Sequence, residues 1–228
     1  MPAEAKPITI NVAKEGAVSG LLLKPVSPRS LYVFAHGAGT GMTHRSMASI
    51  AEGLAQRGIA TLRYQFLYME RKSGRPDTPK LAQAVVRAAV AEARRLDPNL
   101  PLFAGGKSFG GRMTSGAQAA EPLDAVRGLI FFGFPLHPAG KPGRERAEHL
   151  AQVDIPMLFL QGTRDALADL GELEPVIKSL GKRATLKLFD QADHSFHVPA
   201  RSGRKDGDVL KEILDEFARW VDKVIASS

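Results

Sequence analysis

A serine, an aspartate and a histidine stand in an order and in local contexts that could support nucleophilic catalysis. Ser108 lies in a Gly-x-Ser-x-Gly motif at residues 106–110, Asp165 follows an apolar run, and His194 comes later in the chain. A serine hydroxyl is a weak nucleophile until a base takes its proton, and imidazole is suited to that task near neutral pH. A carboxylate on the other ring nitrogen fixes the imidazole tautomer. The three residue types together indicate attack on an acyl group.

The serine motif lies between a predicted strand, which begins at Leu102, and a predicted helix that continues through residues 113–120. Such a turn holds a serine with its hydroxyl exposed at the edge of a sheet, and its small flanking residues let strand and helix pack closely. The N–H of Phe109 opens the helix and can point at a developing oxyanion. The motif alone also arises by chance in a chain with 22 glycines, so the context carries the interpretation.

A second oxyanion donor is expected from the glycine-rich turn after another apolar strand, predicted at residues 31–35. Glycine at such a turn allows the backbone to approach a ligand closely. In serine enzymes whose nucleophile lies on such a strand-to-helix turn, called the nucleophile elbow, this separate glycine-rich turn supplies the second N–H. We expect that donor to be Ala38, with Gly37 and Gly39 as alternatives.

The acid and the base each have alternatives. Asp169 could replace Asp165. His197 could replace His194, although His194 lies closer to the preceding predicted strand. Poorer candidates for the acid are Asp190 and Asp193, because they adjoin the base. Four further residues could either line a pocket or have a structural role: Phe66, Tyr68, Met69 and His137.

The rest of the chain predicts strands that alternate with helices. An N-terminal hairpin is expected at residues 8–12 and 17–24, further strands at 59–64, 129–134, 157–160 and 184–189, and helices at 46–57, 77–96, 173–180 and 209–225. This alternation predicts one α/β domain over residues 1–228, with a mostly parallel, doubly wound sheet, an N-terminal antiparallel hairpin and a minimal lid near residues 136–152. Loops after parallel strands share one edge, so the candidate residues should meet there.

Composition narrows the classes of function. Hydrophobic residues make up 44% and charged residues 24%, and the formal net charge is +7. The absence of cysteine excludes disulfides, thiolate metal sites and a cysteine nucleophile. Basic residues are scattered among acids without a long basic run, so nucleic-acid binding is not favoured. Neither a membrane-spanning run nor a signal peptide is recognisable, so we expect a cytoplasmic protein without membrane contact. The sequence gives no indication of oligomeric state.

Three segments resemble the α/β-hydrolase superfamily: residues 106–112 (GKSFGGR), 161–165 (QGTRD) and 192–196 (ADHSF). The resemblance extends over nearly the whole chain. It implies an α/β-hydrolase fold and a serine hydrolase that cleaves an ester, thioester or amide of a small molecule without cofactor or metal. The triad would be Ser108, His194 and Asp165.

Residues 68–70 and 135–142 resemble a narrower branch of hydrolase-like proteins. That branch includes a testis-expressed protein and subunit three of the nonspecific-lethal chromatin complex. Some of its members act as scaffolds, which makes a non-catalytic binding protein the alternative function. There is also a looser resemblance to dienelactone hydrolases, which use a cysteine that this chain lacks.

Basic residues recur in three loops that should overhang the predicted catalytic edge. They are Arg71, Lys72, Arg75, Lys141, Arg144, Arg146, Arg201, Arg204 and Lys205. Nearby acids dilute their charge. A modestly positive rim would favour anionic substrates, and salt would weaken that preference.

Overall fold

The centre of the fold is an eight-stranded sheet, seen in a computed structural model that describes residues 4–227. The strands are β1 (Lys6–Val12), β2 (Gly16–Leu23), β3 (Ser30–Ala35), β4 (Ile59–Tyr64), β5 (Leu102–Lys107), β6 (Val126–Phe132), β7 (Met157–Gly162) and β8 (Ala184–Phe189). Their spatial order is β1-β2-β4-β3-β5-β6-β7-β8. The pairs β1–β2 and β2–β4 are antiparallel and the others parallel. The predicted α/β-hydrolase-type sheet with its N-terminal hairpin is therefore confirmed. The two ends of the predicted 1–228 domain, residues 1–3 and 228, lie outside the described residues.

Helices cover both faces of the sheet. They are α1 (Arg45–Ala55), α2 (Leu67–Glu70), α3 (Pro79–Leu96), α4 (Phe109–Ala120), α5 (Leu170–Leu180) and α6 (Asp206–Ala226), with 3₁₀-helices at Glu145–Gln152, Gly181–Arg183 and Ala200–Ser202. Apolar side chains of α3, α4 and α5 form one buried cluster with the sheet, and those of α1 and α6 form the other. None of the helices within residues 4–227 is long and apolar enough to cross a membrane.

The predicted start of α3 at Asp77 differs from the observed start at Pro79. Proline suits the first helical turn, because its fixed φ fits the helix and it has no N–H to leave unpaired. Thr78 before it is extended, as expected for a residue preceding proline. The Asp77 carboxylate instead accepts a hydrogen bond of 3.0 Å from the N–H of Tyr68, which ties the loop after β4 to the helix.

The stretch suggested as a minimal lid is largely anchored to the body of the protein. Leu136 and His137 are buried, and both of their N–H groups donate to the carbonyl oxygen of Leu167. Leu150, in the 3₁₀-helix, is fully buried beside α4. Residues 138–142 form a continuous exposed tip, and exposed positions alternate with buried or half-buried ones along residues 143–152.

The winding direction of the sheet reverses at β3. β4 pairs on one side of β3 and β5 pairs on the other, with Ala35 in register with Gly106. In sheets of this kind the loops that leave the two strands at such a switch point flank a crevice. Those two loops carry the glycine-rich turn and Ser108, so the topology brings them together.

Candidate functional site

Ser108 occupies a strained turn between β5 and α4. Its backbone angles are φ 50° and ψ −116°, a region that residues other than glycine rarely adopt. Such strain costs about 1–3 kcal/mol and persists only where the surrounding structure fixes it. Here the Ser108 N–H donates to the carbonyl oxygen of Phe132, at the end of β6, over 3.1 Å. Helix α4 begins at the next residue, so the N–H of Phe109 lies in its unpaired first turn.

The two glycines of the motif are required by close backbone contact. A Cβ atom on Gly106 would lie 2.5 Å from the carbonyl oxygen of Ala35, and one on Gly110 would lie 2.6 Å from that of His36. Both distances are shorter than any normal contact. The turn that carries Ser108 therefore packs directly against the end of β3.

His194 and Asp165 form a hydrogen-bonded pair after β8 and β7. The distance from His194 Nδ1 to Asp165 Oδ2 is 2.7 Å, with the Asp165 side chain fully buried and the imidazole 23% exposed. Gln161 Nε2 also donates to Oδ2, over 2.5 Å, and the Leu167 N–H donates to Oδ1, over 2.8 Å. Because the carboxylate accepts, Nδ1 carries the proton. This is the ring's only hydrogen bond within residues 4–227, which leaves Nε2 available as a base.

Shared neighbours bring Ser108 and His194 to the same point. The Ser108 N–H is bonded to Phe132, and the next residue, Gly133, lies beneath the imidazole. A Cβ atom on Gly133 would be 3.3 Å from both Nδ1 and Cε1 of His194. Lys107 Nζ, one residue before the serine, donates to the His194 carbonyl oxygen over 3.1 Å. Both candidate residues therefore adjoin the end of β6.

Lys107 is a buried cation within this site. Its side chain lies under the ring of Phe196, with Nζ 5.5 Å from the ring centroid. Burial lowers the pKa of Lys107, while the negative charges of Asp165 and Asp193 act in the opposite direction. The ammonium thus ties β5 to the loop that carries His194. The sequence analysis missed this residue, because it occupies a variable position of the serine motif and its contacts depend on distant parts of the chain.

His36 anchors the glycine-rich turn. Its Nδ1 donates to the carbonyl oxygen of Gly37 over 2.7 Å, and its Nε2 accepts from the N–H of Phe66 over 3.1 Å. Burial lowers the pKa of His36 to about 4, so the ring is neutral at physiological pH. A neutral ring with its proton on Nδ1 satisfies both bonds.

The hydrogen bonds of the turn distinguish two of the three proposed N–H donors, Ala38 and Gly39. The Gly37 carbonyl oxygen also accepts from Thr40 Oγ1 over 3.0 Å, and in a trans peptide the following N–H, that of Ala38, points the opposite way. The N–H of Gly39 is engaged, because it donates to the Tyr68 hydroxyl over 3.0 Å. The N–H of Ala38 has no partner within residues 4–227.

Phe66 and Tyr68, left open between pocket and core, are core residues with 0% and 2% exposure. Their rings contact the ring of Phe109 at centroid distances of 5.3 and 6.4 Å. They therefore support the first residue of α4 from below. Burial raises the pKa of the Tyr68 hydroxyl, and the N–H of Gly39 partly offsets this.

The alternative acids and bases have structural partners elsewhere. Asp169 Oδ1 accepts from the N–H of Gly171 over 2.9 Å and thereby caps α5. The exposed His197 pairs with Asp206 at 2.8 Å, and His137 Nε2 accepts from the N–H of Asp169. Loop-stabilising hydrogen bonds also engage the carboxylates of Asp190 and Asp193. In the described part of the chain, no three His, Asp or Glu side chains lie together as a metal site would require.

Comparisons with known proteins agree with this architecture. A family model described as an alpha/beta hydrolase domain matches residues 28–222. A dienelactone hydrolase from Anabaena variabilis superimposes with a TM-score of 0.75 at 21% identity, covering 96% of this chain and 97% of that one. A lidless serine hydrolase from Xanthomonas campestris gives 0.74 at 23% identity, with 96% coverage of each chain. At these identities the structural similarity establishes a shared fold.

Curated relatives include two Mycobacterium tuberculosis proteins that carry the provisional name phosphoribosyl transferase. They are 29% identical over 193 residues, or 82% of this chain. The chain spans only 41% of their length. Their name therefore describes proteins more than twice as long as the matching part.

Proposed function

Because the chain belongs to the α/β-hydrolase family, we propose that it is a serine hydrolase with Ser108 as its nucleophile. The observation that carries this proposal is the 2.7 Å hydrogen bond between His194 and Asp165, which leaves Nε2 of the imidazole available beside the strained serine turn. The pair supplies a base whose tautomer is fixed, and the turn supplies an exposed hydroxyl. The proposed substrate is a small ester, thioester or amide, with a carboxylic ester favoured.

In the first half of the reaction, His194 Nε2 takes the proton from Ser108 as Oγ attacks the acyl carbon. Asp165 stabilises the imidazolium that forms. The oxyanion of the tetrahedral intermediate accepts hydrogen bonds from the N–H groups of Ala38 and Phe109. His194 then gives the proton to the leaving group, and the bond to that group breaks to leave an acyl-enzyme.

In the second half, water replaces the leaving group. His194 takes a proton from the water as it attacks the acyl carbon, and the same two N–H groups receive the second oxyanion. Collapse of this intermediate releases the acid and returns the proton to Ser108. Each step uses a group for which the observed hydrogen bonds leave the required atom free.

Hydrolysis of p-nitrophenyl acetate by matched serine variants tests the proposal. Ser108→Ala should lower kcat by about 10³-fold or more, because only oxyanion stabilisation and binding remain. Ser195→Ala is the control: this exposed serine adjoins His194, and within residues 4–227 its only hydrogen bond is from its backbone N–H to Asp193. The control should stay within a few-fold of wild type. Activity of Ser108→Ala within a few-fold of wild type would remove Ser108 from the mechanism, whereas wild-type activity no higher than the uncatalysed background would favour the non-catalytic binding function.

A further inference from the structure

An open cavity lies on the face of the sheet that carries α3, α4 and the 3₁₀-helix Glu145–Gln152. Its volume is about 370 Å³, and these three elements line it. Helix α4 directly follows β5, so its first turn, which carries Arg112, lies towards the edge that holds Ser108. The polar residues of its lining include Arg112 from α4 and Arg146 and His149 from the 3₁₀-helix.

Two guanidinium groups of this cavity have no carboxylate partner. The side chains of Arg112 and Arg146 are partly buried, and neither forms an ion pair or a hydrogen bond with any residue in 4–227. Two basic residues of the predicted rim, by contrast, form ion pairs with carboxylates. Arg144 pairs with Glu172 at 2.5 Å, and Arg204 pairs with Glu212 at 2.5 Å. The cavity therefore holds positive charge that the protein leaves uncompensated.

The charges in the cavity act on one another. Burial and the charge of Arg146 both lower the pKa of Arg112. Burial and the charge of Arg112 lower the pKa of His149 to about 4, so this imidazole is neutral at pH 7. Its Nε2 lies 2.7 Å from Ser115 Oγ. Like charges in a partly desolvated site are unfavourable unless an anion offsets them.

Glu145 lines the mouth of the same cavity but does not neutralise it. Its carboxylate folds over its own turn, where Oε2 would be 2.5 Å from a Cβ atom on Gly143. It forms no ion pair within residues 4–227. The charged side chains that line the cavity are therefore two guanidinium groups and one exposed carboxylate.

We infer that this cavity binds the anionic group, a carboxylate or a phosphate, of an acidic substrate whose acyl carbon is attacked by Ser108. The planar guanidinium matches both oxyanions with paired hydrogen bonds. Arg112 lies one helical turn after Ser108, a rise of about 6 Å, and helical side chains lean towards the N-terminus, here towards the serine. The part of the inference that concerns Ser108 rests on the proposed function, whereas binding in the cavity does not.

Binding is tested by NMR of His149 during titration with inorganic phosphate and, separately, with succinate. The His149 signals are assigned by their loss in His149→Gln. An anion between the arginines offsets the charge of Arg112, so we expect a saturable response at millimolar ligand and an upward shift of the His149 pKa. Arg112→Gln should abolish the response, and Arg144→Gln should retain it.

The two ligands distinguish the sources of the anion. A response to succinate alone assigns the cavity to carboxylates, and a response to phosphate alone assigns it to phosphates. A response to both supports the shared oxyanion chemistry. No saturable response, or an equal response in Arg112→Gln, would overturn the inference.

The substrate role is tested with a matched pair of esters, 4-nitrophenyl hydrogen adipate and its neutral methyl ester, because the carboxylate of a shorter succinate would attack its own ester. We expect a higher kcat/KM for the anionic ester, with an advantage that shrinks as salt is raised. Arg112→Gln should lower kcat/KM for the anionic ester at least about tenfold more than for the neutral one, since a charge-assisted pair is lost. Arg112→Lys should restore part of this preference, and Arg144→Gln should preserve it.

Failure of the two proposals can be told apart. If neither ester is hydrolysed, the serine-hydrolase function fails, while the NMR titration still reports on the cavity. If both esters are hydrolysed equally and the anions still bind, the hydrolase function stands and the substrate role of the cavity is wrong.

Discussion

Asp165 and Asp169 lie four residues apart, yet their carboxylates meet different groups. Asp165 is buried and accepts from an imidazole, an amide side chain and a backbone N–H. Asp169 stands at the start of α5 and accepts from the first turn of that helix. The first environment orients a base, and the second stabilises a helix end.

Asp165→Asn should lower kcat by about 10³- to 10⁴-fold, because the amide favours the wrong imidazole tautomer. Asp169→Asn should leave kcat within a few-fold of wild type, since asparagine is an equally good N-cap. Steady-state kinetics on p-nitrophenyl acetate, with circular dichroism to verify folding, makes the comparison. A larger loss in Asp169→Asn would show that the acid has been assigned to the wrong residue.

Lys107 is expected to act as a positioning residue through its bond to the His194 carbonyl oxygen. Lys107→Met keeps a long side chain beside Phe196 but removes the donor and the charge. Loss of one such bond should lower kcat by about tenfold. KM should change little, because this bond holds the loop that carries His194 and does not contact the substrate.

A purely structural role for Lys107 would lower stability without lowering the kcat of the folded protein. Urea denaturation and steady-state kinetics of Lys107→Met, both made on folded protein, separate the two roles. An unchanged kcat would rule out positioning.

At the scale of elements, the strands were the most predictable part. The strand Ile59–Tyr64 has the bounds expected from its apolar run after Gly58, because continuous apolar runs suit strands buried on both faces. Helix α2, at Leu67–Glu70, was not predicted, since four residues are too few for a helical period to show. The segment Glu145–Gln152 adopts the tighter 3₁₀ form rather than an α-helix. The start of α3 was predicted two residues too early, at Asp77, although Pro79 is itself a local signal for the first helical turn.

The contact of α4 with β3 gives a prediction for the elbow. Gly110→Ala places a Cβ atom 2.6 Å from the His36 carbonyl oxygen, which is backbone and cannot move aside. We expect a loss of unfolding free energy of about 1–3 kcal/mol or more and a loss of activity. Gly116→Ala, on the same helix, meets the flexible end of Gln83 at 2.6 Å and gains helix propensity, so it should be near neutral.

Urea denaturation of both variants provides the measurement, with p-nitrophenyl acetate hydrolysis as the second readout. Equal stability of Gly110→Ala and Gly116→Ala would contradict the account of the elbow.

At the scale of the whole molecule, buried neutral histidines couple stability to pH. Burial lowers the pKa of both His36 and His149 to about 4, against 6.5 in the unfolded chain. Between these values the unfolded state binds more protons, so the unfolding free energy falls as pH is lowered from about 6.5 towards 4. For His36 the loss would reach up to about 3 kcal/mol.

Urea titrations at several pH values between 7 and 4.5 test this dependence. His36→Asn should be less stable than wild type at pH 7, because the Phe66 N–H loses its acceptor. Its stability should fall less steeply with acid, since it has no imidazole to protonate there. Parallel curves for the two proteins would refute the assignment of His36 as a source of acid sensitivity.

Net charge was the least informative sequence feature at this scale. The +7 charge predicted a basic rim, but ion pairs engage Arg144 and Arg204. Arg112, which lines the cavity, lies two residues after the serine motif and was not among the basic residues predicted for the rim. Charge pairing depends on tertiary neighbours, whereas the order of Ser108, Asp165 and His194 could be found in the sequence because each follows a predicted strand.

Covalent labelling with a fluorophosphonate, followed by peptide mass spectrometry, tests the proposed nucleophile most directly. The reagent reacts with a serine activated by a neighbouring base, so it reports on the hydroxyl without requiring the natural substrate. We predict a single adduct on the peptide that contains Ser108, its loss in Ser108→Ala, and strong slowing of labelling in His194→Gln but not in His197→Gln. An adduct on another residue, or no adduct on folded wild-type protein, would contradict the assignment of Ser108 as the nucleophile.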